Sequence, residues 1–184
     1  MNLKEYLSSG SKARNSVNTS EVEEISRILH KTIMGGGKLV AFGNGGSAAD
    51  AQHFVAELTG HFLVERKPLP AIALTTNTSA LTAIGNDYTY EDIFDRQVKA
   101  LVTSKDMVFG ISTSGNSRNV IKAIQSSNEI GAYTVAMTGM SGGKIKGIAK
   151  KMIAVESDFT PIIQEVHIAI IHMVCMELDR LLLT

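Results

Sequence analysis

The segment Ser112-Thr113-Ser114-Gly115-Asn116-Ser117 carries four hydroxyl side chains within six residues. It lies between an apolar run that reads as a strand and a segment that reads as a helix. A loop of this kind presents hydroxyls and free backbone N–H groups at a helix N-terminus, where the helix dipole favours an anion. Gly115 lets the backbone approach a ligand closely. The loop has no lysine, so it lacks the triphosphate-binding chemistry of a Walker P-loop and suits a single phosphate monoester. One helix cap needs one such hydroxyl, not four. Gly43-Asn44-Gly45-Gly46-Ser47-Ala48 makes the same strand-to-helix transition. Alone it is a common turn; paired with the Ser112 loop in one sheet, it completes a cradle for one phosphorylated ligand.

Further candidates lie on the helices. His53 and Glu57 are four apart and share one helix face. They suit a metal site or an acid–base pair, and equally an exposed surface pair. Gln164 and His172 are eight apart on the last helix, within about 80° around its axis. His172 falls in the most apolar stretch of that helix, where a histidine needs a partner or a function. His167 points elsewhere and reads as a structural histidine. Asp87, after a short helix, suits a cap or a sugar hydroxyl. Cys175 reads as a small buried apolar residue, and Tyr88 and Tyr90 as packing or interface residues. His30 and His61 carry no signal of their own.

These residues need a scaffold, and the chain alternates accordingly. Strands are expected at Lys38–Phe42, Pro70–Leu74, Met107–Ile111, Tyr133–Met137 and Met152–Val155. Helices are expected from Ser20 to Ile33 behind a Ser20–Glu23 capping box, and at Ser47–Leu58, Thr78–Ile84, Glu91–Leu101, Ser117–Glu129, Lys144–Ala149 and Thr160–Leu183. Strands separated by helices give a parallel sheet covered on both faces, an α/β/α sandwich whose ligands bind at the carboxyl ends of the strands. Residues 1–18 are polar and read as a frayed lead-in or a loosely docked helix. The last helix is apolar nearly all round, which predicts burial on all sides and self-association through it.

Composition narrows the function. Eighteen basic and eighteen acidic residues among 184 balance to zero, against sequence-independent nucleic-acid binding. One cysteine forms no internal disulfide and fits a reducing cytoplasm. The first twenty residues lack the apolar core of a secretory signal, and no membrane span is expected.

Four segments in order, FGNGGSAADAQHFVAELTG (Phe42–Gly60), LTAIGNDY (Leu81–Tyr88), FGISTSGNS (Phe109–Ser117) and IQEVHIAIIH (Ile163–His172), resemble the phosphoheptose (sedoheptulose 7-phosphate) isomerases of the sugar-isomerase (SIS) domain family. The resemblance runs from about residue 20 to the C-terminus. It implies one SIS domain over residues 1–184, with a five-stranded parallel sheet of flavodoxin-like type, and a homotetramer with sites between subunits. It implies a phosphate held by Ser112, Thr113, Ser114 and Ser117, with Gly45, Gly46 and Ser47 close by and Asn44, Asp87 and Gln164 along the sugar. His53, Glu57, Gln164 and His172 match the positions that bind zinc in metal-containing members, one ion per subunit. Glu57 and His172 match the catalytic base and acid. The implied reaction converts sedoheptulose 7-phosphate to D-glycero-D-manno-heptose 7-phosphate through an enediol, for lipopolysaccharide or capsule. The chain departs from the family pattern at His61, where a basic Arg or Lys is common, and at Pro161 and Ile162, where polar residues are common. The rival readings are an isomerase for another sugar phosphate and a non-enzymatic SIS protein that binds the replication initiator. The latter lacks counterparts of Glu57 and His172.

Overall fold

The computed structural model describes residues 1–183. Its strands are β1 (Leu39–Gly43), β2 (Ala71–Ala73), β3 (Met107–Ile111), β4 (Tyr133–Gly139) and β5 (Lys151–Val155). All pair in parallel, in the order β2-β1-β3-β4-β5. Every residue of β1 and β3 is buried, as expected of strands covered on both faces. Alternate side chains go to opposite sides. Leu39, Ala41, Met107 and Phe109 enter one core, and Val40, Phe42 and Val108 the other.

The helices are α1 (Leu3–Asn15), α2 (Thr19–Met34), α3 (Gly46–Thr59), α4 (Thr78–Asp87), α5 (Asp95–Leu101), α6 (Arg118–Ile130) and α7 (Thr160–Leu182). The first core takes Ile25 and Leu29 of α2, Phe54 and Leu58 of α3, and Ile170 and Val174 of α7. The second takes Phe94 and Val98 from the α5 region and Val120 and Ile124 of α6. The expected three-layer α/β/α sandwich is the observed fold.

The differences from the sequence expectations have local causes. Residues 1–18 are not a frayed lead-in. Asn2 and Glu5 form a reciprocal capping box, with Glu5 N donating to Asn2 Oδ1 at 3.0 Å and Asn2 N to Glu5 Oε2 at 2.8 Å. The small residues Gly10 and Ala13 let α1 lie close on the fold, and the Tyr6 hydroxyl donates to Glu165 of α7. The cap of α2 is Asn18 rather than Ser20, its Oδ1 accepting from Ser20 N at 3.1 Å. The helix expected from Glu91 splits into a 3-10 turn at Tyr90–Asp92 and α5. Thr89 Oγ1 ties Asp92 Oδ2 at 2.5 Å there, and Ile93 and Phe94 turn into the core. The brief helix expected at Lys144–Ala149 is one 3-10 turn, Gly143–Ile145, flanked by left-handed glycines at 142 and 147.

Within one subunit α1, α2 and α3 pack along α7, and β4 and β5 lie beneath it. Two of those covering helices come from the first 34 residues. Ile168 and Met173 stay partly open and Met176 exposed. By length and apolarity α7 could cross a membrane, but half of that stretch is buried inside the fold, as in a core helix.

His167 is the structural histidine expected. It is fully buried, and its Nε2 lies 3.2 Å from the Thr138 carbonyl oxygen of β4. Its Nδ1 has no hydrogen-bond partner among the described residues. Burial pushes the ring from 6.5 down to about 4, so at neutral pH it is uncharged and donates through Nε2. The unfolded chain binds this proton first as pH falls. The stabilisation is therefore complete above about pH 6.5 and is lost toward pH 4, on the order of 3 kcal/mol. His167→Gln keeps a donor for Thr138 and cannot charge. Thermal melts between pH 7 and pH 4 should show a shallower fall for this variant than for wild type; parallel profiles would contradict the assignment.

Candidate functional site

Between β1 and β3 the chain leaves the sheet in opposite directions, toward β2 on one side and β4 on the other. Such a switch point opens a crevice at the carboxyl ends of the two strands. The two Gly- and Ser-rich loops border it, β1 leading into α3 and β3 into α6. Gly115 has φ +64°, and a Cβ there would lie 2.1 Å from the Gly142 carbonyl oxygen. Only glycine fits that contact with the loop after β4. Gly43 is equally confined, since a Cβ would meet Ser47 Cβ at 2.7 Å and the Ile111 oxygen at 2.8 Å.

The amino ends of both helices are left for a ligand. The N-cap of α3 is Gly45, which has no side chain to offer. The N-cap of α6 is Ser117, whose hydroxyl is engaged by Ser112 Oγ at 2.9 Å. Ser114 Oγ accepts from Asn116 N at 3.1 Å, shaping the turn. Ser112 and Ser47 are buried, Thr113 is half-buried and Ser114 is exposed. Two helix N-termini and these hydroxyls form a cradle for an anion without a basic side chain.

Asn44 is held more firmly than its sequence position suggested. Its Nδ2 donates to Asn119 Oδ1 at 2.9 Å, and Asn119 Nδ2 donates back to Asn44 Oδ1 at 2.8 Å. The Tyr90 hydroxyl also donates to Asn44 Oδ1, at 3.1 Å. With both acceptor positions used, Asn44 offers a ligand its second Nδ2 hydrogen. Asn119 and Tyr90 were missed as site residues in the sequence. Asn119 lies just past the hydroxyl cluster, which was the available signal. Tyr90 gave none, because its contact with Asn44 spans 46 positions.

Further along α3 the second cluster forms. His53 Nε2 lies 2.7 Å from Glu57 Oε1 and 3.4 Å from His172 Nε2. One atom from each of the three residues falls within 4.8 Å of the others. Phe62 stacks on the His172 ring, with centroids 5.6 Å apart. A single nitrogen of His53 thus faces both a carboxylate and a second imidazole. Two imidazoles and a carboxylate converging on one point are a donor set that suits a zinc ion. The Gln164 carboxamide lies at the start of α3, where a Cβ on Gly46 would be 2.3 Å from Gln164 Nε2. Helices α3 and α7 therefore run side by side, Gln164 beside Gly46 and His172 beside His53.

Asp50 was also missed. One carboxylate oxygen is buried without a hydrogen-bond partner among the described residues. Burial pushes its carboxyl up to about 6, against the pull of His53 one turn away. Its place on the His53 face of α3 was the signal. Asp87 does not join either cluster; it is exposed at the end of α4 and accepts from Asn86 Nδ2 at 2.9 Å. Cys175 is buried, and burial raises its thiol further, as for an inert core residue. Ile162 is 1% exposed and belongs to the core, while Pro161 sits in the first turn of α7, where proline is tolerated. Both departures from the family pattern thus have structural reasons. His61 is exposed.

Known proteins resemble this chain over nearly its whole length. The SIS domain family matches residues 5–139. A Thermoplasma acidophilum protein named probable phosphoheptose isomerase is 58% identical over 98% of this chain and 99% of its own length. The phosphoheptose isomerase of Aliarcobacter butzleri is 48% identical over 97% of this chain and 95% of its own. The solved phosphoheptose isomerase of Neisseria gonorrhoeae superposes with a TM-score of 0.90 at 41% identity, covering 97% of each chain. With its switch-point cradle and its histidine–carboxylate cluster, the chain belongs to the SIS domain family and, within it, to the phosphoheptose isomerases, a group of sugar-phosphate isomerases.

Proposed function

We propose that the protein isomerises sedoheptulose 7-phosphate to D-glycero-D-manno-heptose 7-phosphate through an enediol. The observation that carries this is the convergence of His53 and Glu57, on the helix that begins at the anion cradle, with His172 of α7. Ser47 and His53 are six residues apart, about 9 Å along α3 at 1.5 Å per residue. A ligand gripped by its phosphate at one end thus reaches the cluster with a carbonyl several carbons away. That separation suits a long sugar phosphate better than a triose.

The residues divide the work. Ser112, Thr113, Ser114 and Ser117 hold the phosphate with the first N–H groups of α6, and Gly45, Gly46 and Ser47 close the other side. Asn44 donates to a sugar oxygen, and Gln164 lies along the chain of carbons, with Asp87 supplied by a neighbouring subunit. Glu57 removes the carbon-bound proton, and His172 moves the proton on oxygen and assists ring opening. His53, Glu57, His172 and Gln164 would hold one zinc ion per subunit. When bound, it would polarise the substrate oxygens and offset their developing negative charge.

A homotetramer fits two features. The groove between α2 and α7, lined by Val22, Met173 and Met176, leaves apolar surface for another copy. Asp87, exposed at the end of α4, is open to a neighbouring subunit. The working place is the cytoplasm, with the product feeding surface polysaccharide, lipopolysaccharide or capsule.

The test is conversion of sedoheptulose 7-phosphate by purified protein, with chelator and with added zinc. Glu57→Gln should lower kcat by roughly 10²–10⁴-fold while the protein stays folded. Near-normal turnover in that variant would remove Glu57 as the base. Turnover of a different sugar phosphate alone would reassign the substrate, and no turnover by folded wild type would favour the binding-protein reading. In the same assay, Gly115→Ala should raise KM and lower the melting temperature, because its Cβ collides with the backbone at Gly142.

A further inference from the structure

Helix α3 bears Glu57 on its last turn, two residues before its end at Thr59. Last turns fray, and their carbonyls lack partners within the helix. The common remedy is a left-handed glycine just beyond the end. Gly60 stands at that place but has φ −87° and ψ −123°, outside the left-handed region. Its N–H still reaches the Ala56 oxygen at 2.9 Å, and Leu69 N donates to the Leu58 oxygen at 2.9 Å, but the Glu57 oxygen is met by another group.

That group is Arg66. Its Nη2 donates to the main-chain oxygen of Glu57 itself, at 2.8 Å, and its Nη1 to the Leu58 oxygen at 3.0 Å. The third donor, Nε, goes to Asp179 Oδ1 of α7 at 2.7 Å. Asp179 Oδ2 accepts from Leu63 N at 2.9 Å and Val64 N at 3.3 Å, fixing the segment that carries the arginine. The two side chains are 8% and 4% exposed. A cation at a helix C-terminus is also favoured by the dipole.

We propose that Arg66 and Asp179 are positioning residues that set Glu57 against His172. This rests on the roles given above to Glu57 and His172. The remaining contacts between α3 and α7 are largely apolar, including Phe54, Leu58, Ile171 and Val174. Apolar contacts are non-directional and hold helices together without fixing their rotation or register. A planar guanidinium with donors in a rigid fork does fix them. It joins the backbone of the base directly to the helix of the acid, seven residues, or about 10 Å, beyond His172.

The test uses Arg66→Lys and Asp179→Asn in the full chain. Lysine keeps the charge and the stem but cannot make the fork. In the folded variants kcat should fall by about 100-fold, as for misplacement near 1 Å, while KM changes less than about twofold. Hydrogen exchange of the amides at the end of α3 should quicken at least about tenfold, with β3 and the start of α6 unaffected. Unchanged exchange at that turn, or wild-type kcat in folded Arg66→Lys, would overturn the proposal. So would a parallel loss of kcat and phosphate binding, the mark of a merely unstable protein. If wild type turns over no sugar phosphate, the isomerase reading and with it this catalytic role fail; local exchange then still decides whether the pair caps α3.

Discussion

The site depends on one contact, the side-by-side packing of α3 and α7. Helix α3 begins at the anion cradle, with Gly45 and Ser47, and carries Glu57 on its last turn. Helix α7 matches it, placing Gln164 against Gly46 and His172 against His53. Displacing either helix along its axis would separate the groups that bind from the groups that react. The sheet fixes where α3 starts, because Gly43 allows no side chain between β1, β3 and Ser47. Phe54, Leu58, Ile170 and Val174 press the two helices onto the same face. At the other end, the buried Arg66–Asp179 pair joins the end of α3 to α7.

The proposed cradle would let a neutral chain bind a phosphorylated ligand. Its polarity comes from backbone dipoles and hydroxyls rather than from lysine or arginine. The basic groups nearby are committed elsewhere, Arg118 to Glu91 at 2.9 Å and Lys122 to Asp92 at 2.5 Å. Fixed dipoles need no reorganisation when an anion arrives, and they leave the crevice free of flexible side chains. The reciprocal carboxamide pair of Asn44 and Asn119 serves the same end by holding two loops and orienting one N–H.

Much of this could be read from the residues in order. Glycines and hydroxyls at strand-to-helix transitions are local signals, and the pattern of strands and helices gave the sheet with its ligand-binding end. His53 and Glu57 are one turn apart, so their pairing is local too. The features that escaped are those set by distant contacts. Tyr90 reaches Asn44 across the crevice, and Arg66 reaches α7 across 113 positions. For residues 1–18 the sequence left a lead-in and a loosely docked helix open, because the polar composition hides the small residues, Gly10 and Ala13, that let α1 dock. Its packing on α7 is likewise a contact between opposite ends of the chain.

The central claim is that Glu57 moves a carbon-bound proton through an enediol. Conversion in deuterium oxide, followed by nuclear magnetic resonance of the aldose product, tests it most directly. The account expects deuterium at carbon 2 with wild type, and both product and exchange slowed by roughly 10²–10⁴-fold with Glu57→Gln. Product formed at the wild-type rate by folded Glu57→Gln, with or without solvent deuterium, would contradict it.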